Sequence, residues 1–166
     1  MVCVIEEREL PYLRRCVELA SEALEAGDEP FGSVLVDAEG VVRAEDRNRI
    51  AGGDRTRHPE FELARWSTTA LTPEERRGAT VYTSGEHCPM CAAAHGWVGL
   101  GRIVYVASSA QLSSWLEELG APAPPVRPLP AEEIAPGVVV EGPVPSLVDQ
   151  VRELHVRYHR GRSEQG

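Results

Sequence analysis

Segments with helical periodicity alternate along this chain with short runs of β-forming residues, and this alternation constrains the fold more than any other sequence feature. The predicted helices cover residues 11–26, 59–70, 89–98, 111–119 and 146 onward, and the predicted strands cover 31–36, 41–44, 80–84, 102–107 and 137–141. Such alternation is typical of a layered α/β domain. We therefore expect a sheet with helices on both faces, and not an all-α or all-β fold.

Local signals mark several of the element boundaries. Pro59 and Pro89 each stand where a helix would begin, a position that suits the fixed φ of proline. Ser146, with Asp149 three residues later, is predicted to cap the last helix. The chain has 166 residues, which suits one domain (1–166), with 121–166 as a C-terminal extension. Within that extension we expect a proline-rich connector over 121–130, a strand, a helix and a disordered tail from residue 161.

The charge balance and the absence of lysine exclude several functional classes. The chain has 17 basic and 26 acidic residues, a formal net charge of −9, and every basic residue is arginine. The absence of lysine excludes Schiff-base, pyridoxal-lysine and P-loop-lysine chemistry. The acidic balance disfavours a general nucleic-acid binder, because such proteins need a basic face for phosphates.

The sequence also predicts a cellular compartment. The amino terminus turns acidic after five residues, and no apolar run approaches the roughly 18 residues of a membrane span. We therefore expect a soluble, cytoplasmic protein without membrane association. In a reducing compartment a close cysteine pair is more often metal-binding or catalytic than a disulfide, and Cys88 and Cys91 form such a pair. We interpret Cys3 and Cys16 as buried or incidental thiols.

One group of residues carries recognisable chemistry: His58, Cys88 and Cys91 as metal ligands, and Glu60 as their neighbour. Imidazole and thiolate are the ligands that zinc prefers, and three protein ligands leave a position open for water, as in catalytic sites. His87 directly precedes Cys88, so ligation by both is awkward. Glu60, two residues after the histidine, is placed to exchange protons with a metal-activated water.

Less specific interpretations exist for the same residues. The cysteine pair alone fits a redox dithiol, but that leaves His58 and Glu60 without a role. A structural zinc site in an interaction module needs a fourth ligand and gives Glu60 no task. Two further histidines are interpreted as packing or surface residues and the three tryptophans as core residues; they are His95, His155, Trp66, Trp97 and Trp115.

The two motifs resemble the His-x-Glu and Pro-Cys-x-x-Cys signature of the cytidine and nucleobase deaminase superfamily. They appear here as His58-Pro59-Glu60 and Cys88-Pro89-Met90-Cys91, with His87 where relatives usually have proline. The resemblance covers residues 10–107 and is closest to the guanine and cytosine free-base deaminases. It implies bound Zn²⁺ and a cytidine deaminase-like fold, which is a three-layer α/β/α sandwich with a five-stranded mixed sheet. It also implies a homo-oligomer, and we expect a homodimer.

The same resemblance implies two substrate contacts. Phe31, in the segment Glu29-Pro30-Phe31-Gly32, matches a position whose apolar side chain packs on the substrate ring. Asn48 matches an asparagine that holds the base or sugar. Together with Glu60 as the catalytic residue, these residues complete the predicted site.

The implied reaction is hydrolytic deamination, in which activated water attacks an amidine carbon, Glu60 moves the protons, and ammonia leaves. The substrate is a small aminated heterocycle such as cytosine, guanine or a triazine. Guanine deaminases carry Phe-Asp-Asp after the fourth strand, but this chain has Ser-Ser-Trp-Leu-Glu-Glu at 113–118, so the base stays open.

Two alternatives and one hypothesis about specificity accompany this assignment. A tRNA adenosine deaminase is disfavoured by the net charge, although arginines near the C-terminus, such as Arg157, offer a small basic patch. The other alternative is a catalytically silent, zinc-stabilised interaction domain. The hypothesis is that the C-terminal extension covers the chain's own or a partner's pocket and thereby sets specificity.

Overall fold

The computed structural model describes residues 5–165 of the protein. Its centre is one five-stranded sheet. The strands are β1 (Gly32–Val36), β2 (Val42–Arg47), β3 (Thr80–Gly85), β4 (Ile103–Ala107) and β5 (Val140–Glu141). Their order across the sheet is β2-β1-β3-β4-β5. β1 runs antiparallel to both of its neighbours, whereas β4 runs parallel to both β3 and β5. The sheet is therefore mixed, as expected.

Helices cover both faces of this sheet. They are α1 (Leu10–Glu25), α2 (Pro59–Ala70), α3 (Pro73–Gly78), α4 (Pro89–Val98), α5 (Ser109–Glu118), α6 (Ala131–Ile134) and α7 (Pro145–Ser163). α1 and α7 pack on one face, where they enclose Val34 and Val104, and α2 packs on the other, where it encloses Leu35 and Val81. Neighbouring strand residues thus enter different apolar clusters, as the alternation of side chains along a strand requires. The predicted three-layer sandwich is confirmed.

One close approach fixes the position of α1 on the sheet. A Cβ atom added at Gly32, the first residue of β1, would lie 2.4 Å from Leu19 Cβ and 2.6 Å from the Cys16 carbonyl oxygen. Only glycine permits this contact between strand and helix. Cys16 is fully buried there, as predicted, whereas Cys3 lies outside the described residues.

The C-terminal extension joins the same sheet. β5 pairs with β4 through Ile103 and Val140, and the Arg102 guanidinium contacts both Glu141 and Glu9. α7 buries Val151 and Leu154 in the apolar cluster beneath α1. The extension is therefore packed against the residues that precede it.

Several boundary predictions were wrong or incomplete. α7 begins at Pro145, with Val144 and not Ser146 at the cap position, because proline suits the first helical position. The helix continues through Ser163, whereas the sequence predicted a disordered tail from residue 161. Arg162 stabilises this last turn: it donates to the Tyr158 hydroxyl at 2.9 Å and lies over the same ring. Two short helices, α3 and α6, were not predicted at all.

The tryptophans do not share one environment. Trp115 is buried with 8% exposure, as predicted. Trp66 is 36% exposed and Trp97 is 90% exposed, so the prediction that both lie in the core was wrong. α4 instead buries Cys91, Ala92 and His95, which leaves Trp97 on its outer side. Among residues 5–165, no helix has the length and apolar character that crossing a membrane would require.

Candidate metal and catalytic site

The predicted site lies where α2 and α4, two helices packed against each other, begin. His58 is the N-cap of α2 and Cys88 is the N-cap of α4, each with extended backbone and followed by proline. Cys91 is in the first turn of α4, one turn after Cys88. Both helix starts were predicted from the sequence.

The three predicted ligand atoms form a compact triangle. His58 Nδ1 lies 3.6 Å from Cys88 Sγ and 3.5 Å from Cys91 Sγ, and the two sulfur atoms are 3.5 Å apart. Tetrahedral zinc with ligand distances of about 2.0–2.3 Å separates neighbouring ligands by roughly 3.6–3.8 Å. One nitrogen and two sulfur atoms also match the ligand preference of zinc. Within the described part of the chain this is the one group of three or more such residues that could hold a metal ion.

The electrostatic environment distributes charge unequally among the three predicted ligands. The hydrogen bond between Cys88 and Cys91 and the contact with His58 lower the pKa of Cys88 to about 4, and this cysteine also lies at a helix N-terminus. The same hydrogen bond, together with burial, raises the pKa of Cys91, so the pair concentrates negative charge on Cys88. Burial lowers the pKa of His58, but Cys88, Glu60 and Glu29 outweigh it and raise that pKa to about 9.

Glu60 lies beside this triangle in the first turn of α2 and is 6% exposed. Its Oε1 atom accepts a hydrogen bond from Thr83 Oγ1 at 2.8 Å, and Ser33 Oγ lies 3.3 Å from the same atom. Burial raises its pKa, which makes the carboxyl group better able to carry a proton near neutral pH. Neither hydroxyl partner was singled out from the sequence, because their approach depends on strand pairing.

His87, the residue that departs from the family signature, does not join the metal-ligand group. It is fully buried, and its ring meets the ring of His95 edge to face at a centroid distance of 5.3 Å. Three donors therefore remain in the group, the number that a catalytic zinc site uses.

Asn48 and Phe31 are neighbours across the start of the β1–β2 pair. Asn48 is 1% exposed; its backbone N–H donates to the Phe31 carbonyl at 3.0 Å, and its Oδ1 accepts from the Ile50 N–H at 3.1 Å. Asp28 braces this loop by accepting from Arg47 at 2.8 Å and from the Ala51 N–H at 2.7 Å. The Asn48 side chain is therefore held rigidly.

The structure also brings α7 to this region, which sequence reasoning left open. The ring of His155 meets the Phe31 ring edge to face at 5.0 Å, and Trp115 lies 6.2 Å from the same histidine. Glu29 lies within electrostatic range of His58 and of Arg162 on α7, and burial raises its pKa. The helical spacing of His155 with Leu154 and Val151 indicates from the sequence that His155 points inward. The sequence does not indicate that His155 is a neighbour of Phe31.

Comparisons with known proteins agree with this geometry. Residues 6–107 match the family model for the cytidine and deoxycytidylate deaminase zinc-binding region. A probable cytosine deaminase of Schizosaccharomyces pombe is 32% identical over 116 residues, which is 70% of each chain. A guanine deaminase of Bacillus subtilis is 36% identical over 98 residues, which is 58% of this chain and 62% of that one. The guanine deaminase structure from Nitrosomonas europaea superposes with a TM-score of 0.65 at 21% identity, covering 96% of this chain and 87% of that one, and this shows the fold.

Proposed function

The chain belongs to the cytidine and deoxycytidylate deaminase family, and from this premise we propose that it is a zinc-dependent hydrolase that deaminates a free nucleobase or related aminated heterocycle. The observation that carries the proposal is the placement of Glu60. A buried proton carrier beside a His-Cys-Cys donor set is what hydrolysis of a carbon–nitrogen bond needs. A catalytically silent zinc module gives this costly burial of a carboxyl group no purpose.

The predicted site residues have two separate tasks, which are ion binding and proton transfer. His58, Cys88 and Cys91 would hold the ion, which when bound supplies Lewis acidity that makes water nucleophilic near neutral pH. Glu60 accepts a proton from the attacking water and delivers it to the adjacent ring nitrogen. Glu60 then carries the second water proton to the amino nitrogen, so that the carbon–nitrogen bond breaks, the carbonyl forms and ammonia leaves.

Asn48 and Phe31 are proposed to orient the substrate. The Oδ1 of Asn48 is already engaged by a backbone N–H, so we assign its amide NH2 as the donor to an acceptor on the substrate ring. Phe31 offers an apolar surface for the flat face of the ring. His155, which packs against Phe31, places α7 of the same chain next to this contact. We therefore assign the specificity role of the C-terminal extension to α7 acting on its own site.

The substrate is proposed to be a free base, such as cytosine, guanine or a triazine. The net charge of −9 and the lack of lysine oppose the alternative of a tRNA substrate, whose backbone is itself negative. We place the protein in the cytoplasm, because reducing conditions keep thiolate ligands available for zinc. The whole chain is proposed to act as a single deaminase domain.

We further propose that two copies associate through the outer face of α2 and α4. Trp97 is 90% exposed on α4, and Trp66 is partly exposed on α2. Tryptophan is enriched in protein interfaces and is costly to leave in water. Sedimentation velocity should show a dimer for the parent protein and a monomer for Trp97→Asp. A parent protein that is monomeric at micromolar concentration would contradict the proposal.

An ammonia-release assay with Glu60→Ala tests the proposed activity. Zinc-loaded protein is offered cytosine, guanine, adenine, isocytosine, ammeline, the nucleosides and a tRNA. We expect release from one free base, with kcat/KM lowered roughly 10²–10⁴-fold in Glu60→Ala while zinc content is retained. Release from the tRNA alone would support the adenosine deaminase alternative. Silence with every substrate despite bound zinc would favour the interaction module.

A further inference from the structure

Two buried hydroxyl groups converge on the same oxygen of Glu60 from neighbouring strands. Ser33 on β1 and Thr83 on β3 stand directly opposite each other in the antiparallel register, and both are fully buried. Ser33 Oγ donates to Thr83 Oγ1 at 2.9 Å, and Thr83 Oγ1 lies 2.8 Å from Glu60 Oε1. Since Ser33 Oγ also lies 3.3 Å from Glu60 Oε1, the three oxygen atoms form a closed triangle.

The pair is polar, whereas the neighbouring positions on the same strand faces are apolar. The next residues along the same strand faces, Leu35 on β1 and Val81 on β3, belong to the apolar cluster beneath α2. Burying a hydroxyl group in such a place is unfavourable unless it is hydrogen-bonded. The two hydroxyls occur at the paired position beside Glu60, where the carboxylate gives them a hydrogen-bonding partner.

The hydrogen-bond inventory shows what this arrangement does to the carboxyl group. Each hydroxyl has a single hydrogen and can also accept. Thr83 Oγ1 lies 2.8 Å from Glu60 Oε1 and 3.0 Å from the Gly85 carbonyl oxygen, and we assign its hydrogen to the nearer carboxylate oxygen. A chain from Ser33 through Thr83 then ends on Oε1 of Glu60. The Glu60 carboxyl group also interacts electrostatically with His58, Cys88 and Cys91, the predicted metal ligands. The group is therefore held from the sheet side on one oxygen while it faces the metal-ligand triangle. A carboxyl group held in this way cannot rotate without losing these bonds.

We propose that Thr83 and Ser33 are positioning residues of the deamination site, which fix Oε1 of Glu60 and thereby direct its other oxygen, Oε2, to proton transfer. The inference rests on the proposed function in that Glu60 is the group that moves protons. Catalysis depends on such orientation because proton transfer requires short, aligned contacts.

Three variants test the proposal by kinetics. Thr83→Val removes the hydroxyl with similar shape, Thr83→Ser keeps it, and Ser33→Ala removes the second hydroxyl at little cost in volume. With the base identified by ammonia release, we expect kcat to fall 10–100-fold in Thr83→Val and about 3–10-fold in Ser33→Ala, with KM within twofold and zinc content unchanged. Thr83→Ser should stay within threefold of the parent. In a Glu60→Gln background, Thr83→Val should have little further effect.

An infrared measurement tests the positioning without any substrate. The Glu60 carboxyl band, assigned by its loss in Glu60→Gln, should shift in Thr83→Val and return in Thr83→Ser. A shift without activity toward any base would sustain the positioning and overturn the proposed function. Unchanged kcat and an unshifted band in Ser33→Ala and Thr83→Val would overturn the positioning role. The same conclusion would hold if these variants lowered the unfolding temperature without changing kcat or the band. If Thr83→Val does not fold, Ser33→Ala carries the same two readouts.

Discussion

At the scale of single residues, we expect the predicted metal ligands to determine zinc binding and to contribute little to the stability of the fold. His58, Cys88 and Cys91 lie at helix starts, outside the two apolar clusters that hold the sheet and helices together. Local contacts favour the thiolate form of Cys88, whereas the hydrogen bond with Cys88, together with burial, raises the pKa of Cys91. Loss of one ligand should therefore affect the ion far more than the fold.

Cys91→Ser should lower zinc affinity by at least 10–100-fold, because a hydroxyl is a much poorer zinc ligand than a thiolate. The far-ultraviolet circular dichroism spectrum should stay that of the parent. The measurement is zinc content after dialysis against a weak chelator. Cys16→Ala is the matched control, because this thiol is fully buried on the inner side of α1 within the apolar core. That control should keep zinc; zinc loss in both variants would mean that binding depends on the general stability of the fold.

Individual residues also show how far the sequence predicted the site. The predicted ligands, which the structure brings together, and Glu60 beside them were singled out from residue type and spacing, because residues one helical turn apart and helix-start prolines follow local rules. Ser33 and Thr83 were not identified. They lie 27 and 23 residues from Glu60 along the chain, and only the β1–β3 register brings them to it.

At the scale of elements, α7 is both a core helix and a wall of the proposed substrate site. Val151 and Leu154 bury one side of it in the apolar cluster beneath α1, while His155 faces Phe31. Deleting the helix would therefore remove core packing together with any effect on specificity. A point substitution on its site-facing side is the cleaner test.

His155→Ala should raise KM for the preferred base about 10-fold and change the ratio of kcat/KM between cytosine and guanine, because it removes the side chain that supports Phe31. Zinc content should not change. Steady-state kinetics on both bases provide the measurement. Arg157→Ala, an exposed change on the same helix, is the control and should leave both constants within twofold. Equal kinetics for His155→Ala and the control would remove α7 from the specificity argument.

Elements also differed in how well they were predicted. The long helices and the inner strands were recovered within a few residues, because the helices have a periodic apolar pattern and the inner strands are short runs of β-forming residues. α6, with four residues, has no room for such a pattern. α3 begins with a capping box between Thr72 and Glu75, and this pair of residues in the sequence already indicates a helix start. The start of α7 was misplaced because Pro145 outweighs Ser146 as a start signal.

At the scale of the whole molecule, buried neutral histidines make stability depend on pH. Burial lowers the pKa of His155 to about 3 and that of His95 to about 4. In the unfolded chain both bind protons below about pH 6.5, whereas the folded protein binds them only at lower pH. The unfolded state therefore holds more protons between about pH 6.5 and 4, so the free energy of unfolding falls as the pH falls through this range.

We expect each of these histidines to lower the free energy of unfolding by up to about 1.4 kcal/mol per pH unit below pH 6.5. Urea denaturation at pH 7.5, 6.0 and 5.0 gives the measurement. His155→Phe keeps a ring against Phe31 and Trp115 but removes the titrating group, so its pH dependence should be shallower. Both proteins are compared with the same zinc loading. Identical slopes would show that His155 does not stay neutral in the folded protein.

The sequence by itself determined the α/β class, the helix starts at Pro59 and Pro89, and the His-Cys-Cys donor set with its neighbouring glutamate. Each follows from residue type, short-range spacing or periodicity, which are properties of local segments. Tertiary structure decided that Ser33 and Thr83 meet Glu60, that α7 packs beside Phe31 of its own chain, and that Trp97 faces outward. These facts depend on strand register and on which helix faces the sheet covers, and packing between distant segments selects both.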